Sequence, residues 1–259
     1  MQQKASRRFG LARSLSKSGY CSRSRAAELI RAGRVSLSGK ICRNPEAPVH
    51  EPTQIAVDGS AIKAYELVYM ILNKPRGVIT TASDEKGRET VYALLNKNSA
   101  ARASSHKASE PWIAPVGRLD KASEGLLLLT NDSEWGAQIT APETHLDKTY
   151  HVQINTVADE EFIQALLRGV ETKERTVLRA KRVRRLRAGE KNCWLEIVLD
   201  EGKNRQIRRM VDCMGVEVLR LVRVAIGPLQ LGDLAKGLCR ALTSVEKRAL
   251  DRALRRRNS

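Results

Sequence analysis

The chain is poor in aromatic residues, which fill 4% of its 259 positions. A broad stacking platform for single-stranded nucleic acid is therefore not expected. Cysteine is sparse and scattered. Cys21, Cys42, Cys193, Cys213 and Cys239 are odd in number and form no Cys-x-x-Cys pair. Neither a disulfide framework nor a zinc site is indicated, and a reducing cytoplasm fits. The four histidines, His50, His106, His145 and His151, do not cluster. Long apolar runs are also lacking, since nothing approaches the ~20 residues that span a bilayer. The polar, basic stretch from Met1 to Arg8 has no apolar core of a secretory signal. Negative charge is the last shortage. Asp and Glu number 29 against 46 Lys and Arg, giving a net charge of +17 and a pI near 10.0. Such an excess calls for a polyanionic partner, and without membrane signals that partner is nucleic acid rather than lipid.

What is present is concentrated in one stretch, Gly117-Arg118-Leu119-Asp120-Lys121-Ala122-Ser123-Glu124-Gly125, followed by Leu126 to Leu129. Four leucines without polar alternation read as a strand buried on both faces, although periodicity alone also admits a helix. Gly117 and Gly125 bracket the loop and permit left-handed backbone. Asp120 must be solvated, hydrogen-bonded or paired, because an isolated buried charge is too costly. On the plainest reading it pairs with Arg118 or caps a turn.

The N-terminal quarter is strongly basic, with twelve Lys and Arg against four Asp and Glu up to Lys63. Leu11 and Leu15 start a short helix that Gly19 can end. Ser22 is an N-cap for a second helix, Arg23 to Ala32, with Gly33 after it. Val35 and Leu37 enter a hairpin at Ser38-Gly39, and Ile55 and Val57 form a later strand closed by Asp58-Gly59. Arg23, Arg25, Arg34 and Lys40 fall where they can converge on a phosphate backbone.

Further on, Leu67 to Leu72 and Val78 to Thr80 read as strands around the turn Lys74-Pro75-Arg76-Gly77. Asn96 to Glu110 is rich in Ser, Ala and Lys and reads as an exposed loop. Ser133 caps a helix ending near Thr140. Lys148, Tyr150, Val152 and Ile154 share one face of a strand. Thr156 is the expected cap of a helix from Ala158 to Arg168. Val177 to Arg187 reads as a very basic edge strand, a second surface for RNA. After an apolar strand, Cys193 to Leu199, the residues Ile207, Met210, Val211 and Met214 stripe a helix closed by Gly215. Arg208 borders that stripe and needs a carboxylate partner. Thr243 to Glu246 is a capping box.

Gly-Arg-Leu-Asp-x-x-Ser-x-Gly-Leu-Leu-Leu-Leu-Thr-Asn-Asp closely resembles the catalytic-loop motif of the RsuA-like ribosomal-RNA pseudouridine synthases. Lys-Pro-x-Gly, Lys-Thr-Tyr-x-Val and Glu-Gly-Lys-Asn-Arg-Gln-Ile-Arg-Arg-Met resemble that family's other motifs. The N-terminal helix–helix–hairpin pattern is similar to the αL RNA-binding domain first seen in the fourth small-subunit ribosomal protein. The resemblance implies an α+β chain: an αL domain over 7–63 and a mixed, mainly antiparallel sheet domain with flanking helices over 67–255. It implies that Asp120 is the catalytic carboxylate, that Arg208 pairs with it (Arg209 being the competing choice), and that Tyr150 lies against the target base. Leu221 resembles the apolar residue that walls the uracil pocket, and Arg118 and Lys74 are expected to contact substrate. No cofactor and no metal are expected. The partner is ribosomal RNA or an assembly intermediate, and the protein is expected to be a cytoplasmic monomer.

The chemistry is the breaking of the N1–C1′ bond of uridine, rotation of uracil, and formation of a C5–C1′ bond. A carboxylate can attack or stabilise an oxocarbenium-like centre, or take a sugar proton to give a glycal. The uridine must first leave its stack. Deleting residues 1–63 is expected to weaken RNA affinity more than it harms the fold. A non-catalytic RNA or ribosome binder and a base-removing, glycosidase-like enzyme are the other readings.

Overall fold

The computed structural model describes residues 9–49, 54–63, 65–81, 87–101 and 111–255, the side chains of 98–101 excepted. They form two compact units. The first takes the described residues of Met1–Tyr69, Ser104–Ala114 and Leu129–Ser133, and the second takes those of the remainder.

In the first unit, strand β1 (Phe9–Gly10) leads into helix α1 (Leu11–Lys17), and α2 is Arg23–Arg31. Ser22 caps α2 by accepting from the Arg25 amide. Strands β2 (Val35–Leu37) and β3 (Lys40–Ile41) form a hairpin, β4 is Pro48–Val49, and β5 (Ile55–Val57) and β6 (Ser60–Ala61) form another. Both hairpin turns, Ser38-Gly39 and Asp58-Gly59, hold two successive residues at positive φ, the geometry that matches strand twist. The sheet order is β3-β2-β5-β6. Leu11, Leu15, Leu29, Ile30, Val35 and Ile55 fill the core beneath it.

The second unit is organised by a nine-stranded sheet. Its elements in order are β7 (Tyr69–Lys74), α3 (Val91–Ala101), β8 (Ala114–Val116), β9 (Glu124–Thr130), α4 (Ser133–Thr140), β10 (Lys148–Ile154), α5 (Glu160–Arg168), β11 (Val170–Glu171), β12 (Val177–Leu178), β13 (Arg182–Ala188), β14 (Cys193–Leu199), α6 (Gln206–Cys213), β15 (Val218–Ile226), β16 (Leu229–Gln230), β17 (Cys239–Ala241) and α7 (Ser244–Arg255). The sheet order is β13-β14-β10-β15-β9-β7-β17, with β16 beside β15 and β8 beside β9. β9 and β15 run parallel, whereas β13/β14, β14/β10, β10/β15 and β7/β17 run antiparallel. Every residue of β9 is buried, so the leucine run is a strand covered on both faces. α5 and α6 cover one face of the β13-β14-β10-β15 half through Phe162, Leu166, Ile207, Met210 and Val211.

Several local readings shift. The strand expected at 67–72 is β7, two residues later. Val78 to Thr80 forms no strand, but Ile79 bridges Thr90. Residues 96–101 belong to α3 rather than a loop, because Val91 and Leu94 are buried and anchor the helix. The rest of that expected loop, 102–110, lies outside the described residues. Asp159, not Thr156, caps α5 by accepting from the Phe162 amide at 2.8 Å. The basic segment 177–187 is two strands, β12 and β13, and β13 is the sheet edge. The capping box forms as expected: the Thr243 amide donates to Glu246 at 2.8 Å, and the Glu246 amide donates to Thr243 at 3.2 Å.

Candidate active site

Asp120 sits in the loop between β8 and β9, and that loop is tied down carbonyl by carbonyl. The Leu119 carbonyl accepts from Thr80 Oγ1 at 2.9 Å. The Lys121 carbonyl accepts from the Gly77 amide at 2.8 Å. The Ala122 carbonyl accepts from Arg208 Nη2 at 3.0 Å. Lys74 Nζ donates to the carbonyls of Asp120 (3.1 Å) and Ser123 (2.7 Å), and also to Pro75 (3.1 Å). Five consecutive loop carbonyls therefore have donors, which holds Asp120 in a defined place.

Gly125 ends the loop at φ +101°, paired with Arg223 of β15. A Cβ there would lie 2.2 Å from the Arg223 carbonyl oxygen. Only glycine lets the two backbones approach this closely.

A cavity of about 400 Å³ opens beside Asp120, within the size range of small-ligand sites. Tyr150 and Leu221 line it from adjacent strands, with Ile207 from α6. Among the described residues its lining carries six cations, Arg118, Lys148, Lys203, Arg205, Arg208 and Arg223, against the single carboxylate of Asp120. The Asp120 side chain keeps 36% exposure, and Arg205 Nη1 stands 4.0 Å from its Oδ2.

The sequence motif pairs Arg208 with Asp120. In the structure Arg208 lines the same cavity, but its hydrogen bonds go to the carbonyls of Ala122 and Val218, while Arg205 is the arginine within ion-pair range. Burial and the neighbouring Arg205 push the Arg208 guanidinium below its ordinary value, and Asp120 pulls it back. Arg208 Nε is buried and has no partner among the described residues. Arg209, the competing choice, points to Glu174 and Thr172 instead.

Lys74 does not line the cavity. It is fully buried beneath the loop, its ammonium committed to three carbonyls. Direct substrate contact, as expected from the sequence, is replaced by support of the loop. Arg118 is exposed at the cavity mouth.

In the first unit, Arg34 is clamped on Asp58 at 2.9 and 2.5 Å, Arg25 on Glu28 at 2.9 Å and Arg23 on Glu46 at 3.4 Å, all at the surface. Lys40 is exposed at the hairpin.

Arg205, Lys148 and Arg223 were not singled out from sequence. Strand alternation could have found two of them, because Lys148 shares a face with Tyr150, and Arg223 with Leu221. Arg205 had no such signal. Its backbone is left-handed at the start of α6.

One carboxylate on a fixed loop thus stands among six cations at one cavity. Residues 68–212 match the family model described as RNA pseudouridylate synthase, and residues 10–63 match the S4 domain. The chain is 36% identical over 237 residues to ribosomal large subunit pseudouridine synthase B of Bacillus subtilis (strain 168), covering 91% of this chain and 93% of that one. It is 35% identical over 233 residues to the protein of the same name from Salmonella typhi, covering 87% and 75%. A crystal structure of a pseudouridylate synthase is similar at a TM-score of 0.62 and 26% identity, over 93% of this chain and 99% of that one. The chain belongs to the RNA pseudouridylate synthase family and carries an S4 domain.

Proposed function

We propose that this enzyme isomerises a uridine of ribosomal RNA to pseudouridine, with Asp120 as the catalytic carboxylate acting on a flipped-out nucleotide. The observation that carries the reading is Asp120 on its fully tied loop, at a cavity of about 400 Å³ lined by six cations. The cations draw in the phosphates flanking the extruded nucleotide. Tyr150 and Leu221 sandwich the uracil. Asp120 acts at the sugar, where charge develops as the N1–C1′ bond breaks. Arg205 stands within ion-pair range of that carboxylate, and Arg208 holds the loop that carries it. Uracil then turns and C5 joins C1′, and the C5 proton passes to solvent while N1 gains one, so the RNA mass is unchanged. Arg118 fills the space the uridine leaves. Residues 7–63 grip structured RNA through Arg23, Arg25, Arg34 and Lys40, and 67–255 carry the chemistry. The relatives named for the large ribosomal subunit support ribosomal RNA as substrate, and the enzyme meets it free or in assembly intermediates. The protein works as a monomer in the cytoplasm, and no helix among its described residues is long and apolar enough to cross a membrane.

Tritium release from RNA labelled at uridine C5 tests this. Wild type releases tritium without changing RNA mass, and Asp120→Asn releases none while binding the same RNA. Release by Asp120→Asn, or a mass loss equal to one base, contradicts the assignment.

A further inference from the structure

The α5/α6 side of the β13-β14-β10-β15 half is its core face, and the alternation of the strands puts a different set of residues on the reverse. Directly opposed residues of antiparallel strands share a face. Arg184, Glu196, His151 and Val222 form one row across the four strands, and Arg187, Trp194, Gln153 and Arg220 form the next. Tyr150 and Leu221, which look into the cavity, alternate with His151 and Arg220. The reverse face therefore points away from the active site.

This face is open. Arg182, Arg184 and Arg187 are exposed, and the side chains of Arg220 and His151 each keep 38% exposure. The Arg187 and Arg220 guanidiniums lie 5.2 and 5.8 Å from the centre of the Trp194 ring. The acidic side chains on it are already engaged, Glu196 by Arg184 at 3.1 Å and Glu124 by Arg220 at 2.7 Å. Charge on a terminal strand serves to block edge-to-edge pairing. That account stops at β13, because Trp194, Gln153 and Arg220 lie on the next three strands inward.

We propose that this reverse face is a second RNA-docking surface. It holds an unpaired segment of the substrate RNA remote from the target uridine, with phosphates on Arg182 and Arg187 and a base against Trp194. The proposal rests on the reading that the substrate is RNA. Charge complementarity favours RNA over a protein partner, since Arg182 and Arg187 make no ion pair among the described residues and Arg187 stands beside the Trp194 ring.

The test uses the full chain and two RNAs: a long ribosomal RNA transcript and the shortest hairpin from it that still releases tritium with wild type. Arg182→Gln/Arg187→Gln and Trp194→Leu are each compared with wild type. For the double variant, KM on the long RNA is expected to rise about tenfold at unchanged kcat, and the slope of log affinity against log salt to flatten by about 1.4. Trp194→Leu is expected to raise KM on the long RNA without changing the salt slope. The hairpin should show neither change. An unchanged KM on the long RNA, as a protein partner would leave it, overturns the proposal, and so does an equal loss on the hairpin. Failure of wild type on every ribosomal RNA would instead sink the reading of the substrate.

Discussion

Lys74 shows how a motif residue can act at one remove from the chemistry. Its Nζ is the donor for two of the five loop carbonyls around Asp120. Replacing it with Met strands the Ser123 carbonyl, a loss of about 1–3 kcal/mol, while the Asp120 carbonyl keeps the Ser123 amide at 3.0 Å. Lys74→Met is expected to lower kcat by roughly a hundredfold with little change in RNA affinity, read by tritium release and by binding. Burial also brings the Lys74 ammonium down from 10.5 to about 8. The folded chain thus gives up this proton near pH 8, while the unfolded chain holds it to about 10.5. Between those values deprotonation favours the folded state. An alkaline fall in wild-type kcat above pH 8, at undiminished melting temperature and absent from Lys74→Met, is the expected result. A melting temperature that falls in step with kcat would speak against loop positioning.

At the scale of elements, the catalytic loop depends on the parallel contact of β9 with β15. Gly125→Ala forces a methyl to within 2.2 Å of the Arg223 carbonyl oxygen at a φ that alanine avoids. Loss of soluble protein, or a melting temperature lower by at least about 10 °C, is expected. The same contact is clamped by Glu124, held by Arg220 at 2.7 Å and Lys236 at 2.7 Å. These cations bring its carboxyl down from 4.5 to about 2, Arg220 contributing most. Because the folded value is the lower one, this stabilisation is present above about pH 4.5 and is lost as pH falls toward 2. Glu124→Gln is expected to melt about 5 °C lower at pH 7, with the gap closing in melts taken near pH 2.5. A gap that persists at low pH would mean that the clamp is not ionic.

For the whole molecule, RNA affinity is expected to come from charge spread over the chain, with a net +17 behind it. Deleting residues 1–63 is a blunt probe of the S4 domain. It also removes the Ser18 and Gly19 carbonyls that accept from the Tyr65 and Trp112 amides within the same unit. Replacing Arg23, Arg25 and Lys40 with Gln spares those bonds. That triple variant should weaken RNA binding across a salt series, flattening the slope by about 2 to 3, without moving the melting temperature. An unchanged slope would take these side chains off the RNA.

Most of the helices, the Ser38-Gly39 hairpin and the Asp58-Gly59 turn of the first unit were legible in the sequence, because caps, Gly stops and two-residue turns are local physics, whereas the short strand β6 was not expected. Ser22, Gly33, Ser38-Gly39 and the Thr243–Glu246 box are written in adjacent residues. So was the place of Asp120, through its motif. The start of α5 was misread because two oxygen-bearing residues, Thr156 and Asp159, competed for one cap. α3 was hidden because its polar end outweighed the buried Val91 and Leu94. What only the tertiary structure decided was which cation serves which purpose. Arg205, Arg208 and Lys74 reach the catalytic loop from segments far away in the chain, and their direction depends on how the strands are ordered and crossed. A charge chooses its partner through space, and spacing along the chain does not carry that information.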